Sequence, residues 1–82
     1  MYFVYMLKCA DGTFYTGIAT ELKRRVDEHN SSDKGAKYTR TRRPVTLVYS
    51  EIHPDRSSAS KREYEIKKTM SRAQKIKLAG DD

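Results

Sequence analysis

Four side chains near the start of the chain have the types and spacing of an active site: Tyr5, Tyr15, Arg25 and His29. Phenol and imidazole groups donate or accept protons, and a guanidinium group binds the oxygens of an anion. A single tyrosine would carry little weight in a chain that contains 6 of them. The combination is informative only if the elements that carry these residues turn them toward one another.

A β-hairpin is predicted for the first two elements. Aromatic and β-branched residues dominate positions 2–8 and 13–18, on either side of a turn at residues 10–12. Because successive side chains of a strand point to opposite faces, the type of turn decides whether the two tyrosines share a face.

The loop length fixes the register of this hairpin. A two-residue Asp-Gly loop would place the tyrosines on opposite faces, whereas a three-residue loop that ends in a left-handed Gly12 places them on one face. The sequence favours the second register, in which Tyr5 lies opposite Gly17 and Tyr15 lies opposite Leu7. Glycine leaves room there for the Tyr5 phenol.

The next predicted element is a helix from about residue 21 to residue 30, with Thr20 as its N-cap. At about 100° per residue, Leu22 and Val26 form an apolar stripe, and Arg25 and His29 lie along the same side. Arg25 and His29 are therefore expected to meet the tyrosine face. An alternative for His29 is a helix-end role that involves the dipole or the last carbonyls. Four neighbouring charges are expected to point into solvent: Lys23, Arg24, Asp27 and Glu28.

A long basic helix is predicted from about residue 58 to residue 70. Its inward stripe includes Glu63, and a carboxylate there is costly unless it is hydrogen-bonded, paired with a cation or bound to a metal. The alternative is a capping box in which Ser60 and Glu63 only satisfy backbone groups at the helix start. Glu65 lies on the outer side and is the weaker candidate. The apolar members of the stripe are Ala59, Ile66 and Met70.

In combination, these residues resemble the GIY-YIG nuclease domain family over nearly the whole chain. The first family motif corresponds to Val4-Tyr5-Met6 and the second to Tyr15-Thr16-Gly17, with Arg25 and His29 following at the family's spacing. Glu63 is similar to the family's single metal-binding glutamate. The chain length and residues 35–39 resemble a small stand-alone bacterial branch of endonucleases.

Two departures from the family pattern are visible. Val4 and Met6 flank Tyr5 in place of Gly and Ile, which should be tolerated because the tyrosine carries the chemistry. Ile18 stands where some relatives carry a lysine, so that cationic contact is expected to be missing.

The resemblance implies hydrolysis of a phosphodiester with one divalent metal ion, Mg²⁺ or Mn²⁺. It implies that Glu63 holds the metal and that Arg25 clamps the non-bridging phosphate oxygens. Tyr5, assisted by Tyr15 or His29, would position or deprotonate the attacking water. Because a phenol with a pKa of about 10 is a weak base at neutral pH, the metal and Arg25 are expected to lower the pKa of Tyr5.

A third strand is predicted at residues 45–49, with a continuation to residue 52 as the alternative, and a short last helix at residues 71–79. Residues 80–82 are expected to be frayed. The fold class is therefore α+β, with a three-stranded, mainly antiparallel sheet flanked by helices, as the resemblance also implies. A single domain is expected over residues 1–82, because 82 residues with a hydrophobic fraction of 37% support one small core.

Charge points to a polyanionic partner. Seventeen Lys and Arg against 11 Asp and Glu give a net charge of +6, which favours nucleic acid, DNA more than RNA. The densest basic stretch could hold phosphates and stack a base, although a solvated loop is the alternative. The basic residues between positions 61 and 77 are better explained as solvated helix faces. The candidate nucleic-acid-binding residues are Lys34, Lys37, Tyr38, Arg40, Arg42 and Arg43.

The composition also indicates in which compartment the protein is expected and which partners it is expected to have. The single Cys9 excludes an intrachain disulfide and fits a reducing cytoplasm. No signal peptide or membrane-spanning run is recognisable, so no membrane partner is expected. A protein partner that supplies specificity would suit a chain with so little recognition surface.

Three functions compete for these residues. A metal-dependent endonuclease uses all of them, whereas a catalytically weak or inactive nucleic-acid-binding module uses only the charge and the geometry. A purely structural basic domain would treat the convergence of the five candidates as chance. Metal separates the first two, because a nuclease requires a divalent cation and Glu63, and a binding module holds nucleic acid equally well in EDTA.

Overall fold

The structure is a computed structural model that describes residues 1–31 and 33–80. Of the end predicted to be frayed, Asp81 and Asp82 lie outside the described residues. The elements in chain order are β1 (Tyr2–Lys8), β2 (Phe14–Ala19), α1 (Leu22–Ser31), α2 (Lys37–Arg40), β3 (Thr46–His53), α3 (Arg56–Tyr64), a π-helical segment (Glu65–Thr69) and α4 (Arg72–Leu78).

One three-stranded sheet organises these elements, in the order β2-β1-β3. Both neighbouring pairs are antiparallel, and the β1–β3 pairing shifts register between Met6 and Leu7. The α+β class and the antiparallel three-stranded sheet are thus confirmed. β1 is central, so β2 and β3 form the two edges of the sheet.

The turn between β1 and β2 has the three-residue form. The Cys9 N–H donates to Thr13 O (2.8 Å), and the Gly12 N–H donates to Cys9 O (2.9 Å). Gly12 has a φ of +86°, a left-handed conformation that glycine adopts without strain. Asp11 supports the turn by accepting from the Thr13 N–H (3.1 Å). This loop fixes the register on which the candidate site depends.

The predicted register is confirmed by the strand pairing. Tyr5 pairs with Gly17, and Tyr15 pairs with Leu7. Both tyrosines therefore lie on one face of the sheet, and β2 places Tyr15 at the sheet edge.

The two faces of the sheet carry separate apolar clusters. On one face, Val4 and Met6 of β1 pack against Ala59 and Ile66, which come from α3 and the π-helical segment. On the other face, Tyr5 and Leu7 pack with Cys9 and Val45, and α1 covers them with half-buried apolar residues: Leu22 and Val26. Alternation along β1 thus turns Tyr5 toward the layer that carries α1.

Helix α1 agrees with the predicted helix to within a residue at each end. The Arg25 N–H donates to Glu21 O (3.1 Å), so the helix starts one position after the start expected with Thr20 as the cap. Leu22 and Val26 face the sheet, while Arg24 is exposed, as expected.

Helix α3 begins two residues earlier than predicted. Asp55 is its N-cap, and its carboxylate accepts from the Ser58 N–H (2.8 Å). Glu63 consequently lies in the last turn of α3. The alternative capping box of Ser60 and Glu63 is wrong, because the helix start is elsewhere.

The predicted long helix is interrupted after Tyr64. Its second half, Glu65–Thr69, is wound as a π-helix and ends at Met70, which is extended. Such wide turns are rare and are often found near functional sites. Ser71 then starts α4 through a reciprocal capping box with Gln74. The predicted last helix is confirmed, but the change of winding was not predicted.

The left-handed turn residue provides a test of the hairpin register. Gly12→Ala should lower the free energy of unfolding by about 1–2 kcal/mol, because an L-residue is strained in this conformation. The added methyl group would meet Arg72 Nη2 only at 3.9 Å, so crowding contributes little. Gly12→Asn should cost less, since asparagine tolerates positive φ. Urea denaturation measures both costs, and equal values would contradict this account of the turn.

Candidate active site

The Tyr5 phenol is held by His29 inside the protein. Tyr5 Oη lies 2.7 Å from His29 Nε2, and the exposed fractions of the two residues are 1% and 0%. Tyr15 stands beside both, with its ring centroid 6.5 Å from that of Tyr5 and 5.1 Å from that of His29. The helix-end role considered for His29 is therefore not its main contact. Strand β1, strand β2 and helix α1 each contribute one ring to this cluster.

A second hydrogen bond fixes the other side of the imidazole. His29 Nδ1 lies 2.8 Å from Thr39 Oγ1, which in turn lies 2.9 Å from the carbonyl oxygen of Ala36. With the ring proton on Nδ1, protons are donated in the order Tyr5, His29, Thr39, Ala36. With the proton on Nε2, Thr39 donates to Nδ1 and His29 donates to Tyr5. Both arrangements satisfy both ring nitrogens, so the ring orientation is fixed in either case.

Arg25 approaches the same cluster from one turn earlier on α1. Its Nη1 donates to Glu28 Oε1 (3.0 Å) and to Lys34 O (2.7 Å). The guanidinium group also acts electrostatically on Tyr5, Tyr15 and His29. Glu28 was expected to point into solvent, and this prediction is wrong because pairing with Arg25 draws its carboxylate inward. Arg25 keeps 28% of its side chain exposed, so an external anion can reach it.

Burial sets the protonation of the ring cluster. Desolvation raises the pKa of Tyr5 to about 12, and the charge of Tyr15 adds to the rise, while Arg25 opposes it. Desolvation lowers the pKa of His29 to about 4, and the positive charge of Arg25 lowers it further. Arg25 lowers the pKa of Tyr5, as expected, but in the protein alone the loss of water outweighs the guanidinium charge.

Glu63 faces the phenols from α3. Its negative charge raises the pKa of both Tyr5 and Tyr15, although desolvation is the larger cause in each case. Lys67 follows one turn later, with Nζ 3.8 Å from Glu63 Oε2 and 5.7 Å from the Tyr15 ring centroid. The carboxylate of Glu63 thus lies near the two phenols and is paired with the ammonium group of Lys67. Glu65 is exposed and pairs with Arg62.

The residues around Glu63 fit a divalent cation that is only partly coordinated by protein. Among residues 1–31 and 33–80, no group of three or more His, Cys, Asp or Glu side chains forms a metal-binding cluster. Mg²⁺ commonly keeps several waters and binds through one or two carboxylates together with substrate phosphates. Glu63, which is 27% exposed, suits such a site. Its carboxylate would hold the ion, which would then be completed by water and a phosphate.

The basic segment between α1 and β3 reaches the site through Tyr38. The Tyr38 ring stacks beside Tyr15, with centroids 6.1 Å apart and an interplanar angle of 29°. Arg42 covers Tyr38, with Cζ 3.9 Å from the ring centroid, and also pairs with Asp11 across the β1–β2 turn (3.0 Å). One face of Tyr38 is thus occupied, and Tyr38 supports Tyr15 from the outside.

The remaining predicted nucleic-acid ligands divide into two groups. Lys37 and Arg40 lie exposed on α2, and Lys34 is exposed ahead of it. Arg43 instead donates from Nε to the carbonyl oxygen of His29 (2.6 Å), which ties the segment to the end of α1. Exposure suits the first group for phosphate contact, whereas Arg42 and Arg43 already have structural contacts.

A groove of about 360 Å³ lies along the β2 side of the site. Its walls combine aromatic rings with two ammonium groups, and they come from β2, α2, the π-helical segment and α4. The lining residues are Phe14, Tyr15, Thr16, Tyr38, Lys67 and Lys75. Tyr15 is part of the wall, so a chain lying in the groove would contact the ring cluster through Tyr15.

Three site residues were not predicted from the sequence. Glu28 and Thr39 hold Arg25 and His29 in place, and Lys67 was included among the solvated C-terminal cations. Lys67 had a recognisable signal, since it lies four positions after Glu63 and therefore on the same helix face. Thr39 had none, because its contact with His29 depends on how α2 folds back against α1, which no local sequence pattern predicts.

The family assignment follows from a comparison with known proteins. A model described as the GIY-YIG catalytic domain matches residues 1–77. The chain belongs to the GIY-YIG family. Val4 and Met6, which flank Tyr5 in the first motif, are both buried in the core of this member, as is fitting for apolar replacements. Ile18, at the position of the missing lysine, packs against the same core.

Close relatives of this GIY-YIG domain are UPF0213 proteins. UPF0213 protein DP2720 of Desulfotalea psychrophila is 68% identical over 66 residues, which cover 80% of this chain and 60% of that protein. UPF0213 protein SERP0126 of Staphylococcus epidermidis is 56% identical over 77 residues, covering 94% and 92%. The solution NMR structure of EF2693 from E. faecalis matches with a TM-score of 0.62 and 47% identity, over 93% of this chain and 79% of that one. EF2693 therefore has the same fold as this chain.

Within the part of the chain that the structure describes, no helix has the length and apolar character that a membrane span requires.

Gly17 provides a steric test of the site. A Cβ atom at this position would lie 2.6 Å from Tyr5 Oη and 2.7 Å from Tyr5 Cζ. Gly17→Ala should therefore displace the phenol and lower the free energy of unfolding by about 1–3 kcal/mol. In the background of Tyr5→Leu, the same substitution should cost much less, because the clashing atoms are gone. Urea denaturation of the two single variants and the double variant measures this coupling, and purely additive costs would contradict it.

His29 predicts a pH dependence of stability. Its pKa is about 4 when folded, against an ordinary value of 6.5. Between these values the unfolded chain binds a proton that the folded chain does not, so the free energy of unfolding falls as the pH falls. Relative to His29→Gln, wild type should lose about 1–2 kcal/mol between about pH 7 and about pH 5. Denaturation curves at both pH values test this, and a constant difference would refute the buried neutral imidazole.

Proposed function

We propose that this GIY-YIG domain is an endonuclease that hydrolyses phosphodiester bonds in DNA, or in RNA, with one divalent cation, Mg²⁺ or Mn²⁺. The observation that carries the proposal is the convergence of five side chains at the β2 edge of the sheet: Tyr5, Tyr15, Arg25, His29 and Glu63. They come from three layers of the chain, and each has a chemistry that phosphodiester cleavage requires.

Arg25 is the proposed phosphate ligand. Its charge lies beside both phenols, and its contacts with Glu28 and Lys34 fix the guanidinium group before any substrate arrives. A preorganised cation stabilises the charge that develops on the non-bridging oxygens in the transition state. Guanidinium geometry allows two parallel hydrogen bonds to a phosphate, which an ammonium group cannot reproduce.

Tyr5 is the proposed acceptor of the proton from the attacking water. With a pKa of about 12 it is a neutral phenol at pH 7, so it must release its own proton as it accepts another. His29 Nε2, at 2.7 Å, is placed to take that proton. Protonation of His29 is unfavourable in the protein alone, but a phosphate bound to Arg25 would offset the positive charge that lowers the pKa of His29. Binding of the substrate would thus prepare Tyr5 and His29 to accept the proton of the attacking water.

Glu63 is the proposed metal ligand. When bound, the cation would neutralise the scissile phosphate and stabilise the leaving 3′ oxygen as a Lewis acid. Glu63 needs no second carboxylate for this, because phosphate and water complete the coordination of Mg²⁺. Tyr15 packs between Tyr5 and Lys67 and so connects the phenol of Tyr5 with the side of the site that carries Glu63.

The exposed cations ahead of and within α2 are the proposed contacts to the flanking phosphates. Lys34, Lys37 and Arg40 would bind the backbone through charge, so affinity should fall steeply with salt. Tyr38, Arg42 and Arg43 are proposed as further contacts to nucleic acid; Tyr38 is 38% exposed, although Arg42 lies over its ring. A protein partner that adds specificity and a cytoplasmic location are further proposals, the latter suited to the buried free thiol of Cys9.

The proposal is tested with labelled single-stranded, duplex, branched and RNA substrates in Mg²⁺. Glu63→Gln and Arg25→Lys should each slow cleavage by about a hundredfold or more, because each removes a group that stabilises transition-state charge. Glu65→Gln and Arg24→Lys are matched controls, since they make the same changes at exposed positions of the same helical regions. The controls should cleave at the wild-type rate.

Two outcomes would contradict the endonuclease. Cleavage that persists in Glu63→Gln and Arg25→Lys would come from a contaminant. Binding that is equal in Mg²⁺ and in EDTA, with no cleavage of any substrate, would favour the nucleic-acid-binding module.

A further inference from the structure

Lys67 stands between the carboxylate of Glu63 and the groove beside Tyr15. Its Nζ is 3.8 Å from Glu63 Oε2, outside hydrogen-bond range, and 5.7 Å from the Tyr15 ring centroid. The side chains of Lys67 and Glu63 are 45% and 27% exposed. Ion pairs of this exposure are weak and exchange partners readily. The ammonium group is therefore held at the site without being fixed there.

The groove offers this ammonium group a second position. Lys67 and Lys75 line the same groove, together with the rings of Tyr15 and Tyr38. A lysine has three donors on a flexible four-carbon stem, so it can follow a phosphate within the groove without a change in the backbone. While Lys67 neutralises Glu63, however, its charge is not fully available to a phosphate.

We propose that Lys67 exchanges partners during substrate binding, pairing with Glu63 in the free protein and with a backbone phosphate once the carboxylate is occupied by a divalent cation. This inference deepens the proposed function and rests on it, because it takes Glu63 as the metal ligand and nucleic acid as the substrate. Lys67 is thus a substrate-binding residue whose availability is set by Glu63.

The exchange has a consequence that can be measured without metal and without cleavage. Removing the charge of Glu63 should free Lys67 for phosphate, just as an occupied carboxylate would. Glu63→Gln should therefore bind a labelled DNA oligonucleotide in EDTA about two- to fivefold more tightly than wild type, the equivalent of a weak ion pair. The slope of log affinity against log salt should steepen by about 0.7–0.9, as expected for one added phosphate contact.

A double-mutant cycle tests whether Lys67 is the group that is freed. In the background of Lys67→Met, Glu63→Gln should give no more than the gain seen with Glu65→Gln, which reports the loss of a negative charge from an exposed position. Lys68→Met is the matched control, because Lys68 is exposed in the same π-helical segment and does not line the groove. The gain from Glu63→Gln should survive in that background. Fluorescence anisotropy gives all the affinities.

Two results would overturn the exchange. One is a gain from Glu63→Gln that is equal in the wild-type and Lys67→Met backgrounds, and the other is a gain no larger than that of Glu65→Gln. Both can occur while wild type cleaves in Mg²⁺ and Glu63→Gln does not, so they leave the proposed endonuclease standing. Failure of the endonuclease would appear instead as absent cleavage in wild type.

Discussion

The buried hydrogen bond between Tyr5 and His29 is the contact on which the rest of the site depends. It joins the central strand to α1 across a region from which water is excluded, at a distance of 2.7 Å. Losing either partner would leave a polar atom unsatisfied, at a cost of about 1–3 kcal/mol. The other ring nitrogen of His29 contacts Thr39, so the imidazole also connects α2 to this bond. Arg25 lies one turn earlier on α1, so the same bond also sets the position of its backbone relative to the sheet.

The electrostatics of the resting site follow from this exclusion of water. Burial keeps the phenol of Tyr5 protonated and the imidazole of His29 neutral, so neither side chain of this pair is charged in the free protein. The charged side chains lie around the Tyr5–His29 pair: Arg25 on the α1 side, and Glu63 with Lys67 on the α3 side. A substrate phosphate would therefore meet the neutral pair of Tyr5 and His29 with a cationic group on one side and an ion pair on the other. This arrangement favours binding of an anion first and proton transfer afterwards.

Much of this arrangement could be predicted from the sequence, because it depends on local rules. Turn chemistry at Gly12 fixed the register of the tyrosines, and helical periodicity placed Arg25 and His29 on the inner side of α1. The prediction failed where tertiary packing decides the outcome. Glu28 turned inward to Arg25, although it could equally have faced water. The effect of burial on the pKa of Tyr5 was not predicted for the same reason, since that burial depends on every element that packs around the phenol. Periodic patterns also do not distinguish five residues of π-helix from an ordinary α-helix.

The close approach of the Tyr5 phenol to Gly17 links the two motifs in evolutionary terms. The backbone of the second motif forms the floor on which the tyrosine of the first motif lies, with no room for even a methyl group. A lineage that keeps the tyrosine in this place is expected to keep the glycine, whereas a lineage that loses the tyrosine is released from the constraint. The glycine of the second motif therefore works as a record of whether the first motif still performs its chemistry. In diverged relatives, replacement at this one position would mark a domain that has abandoned the phenol.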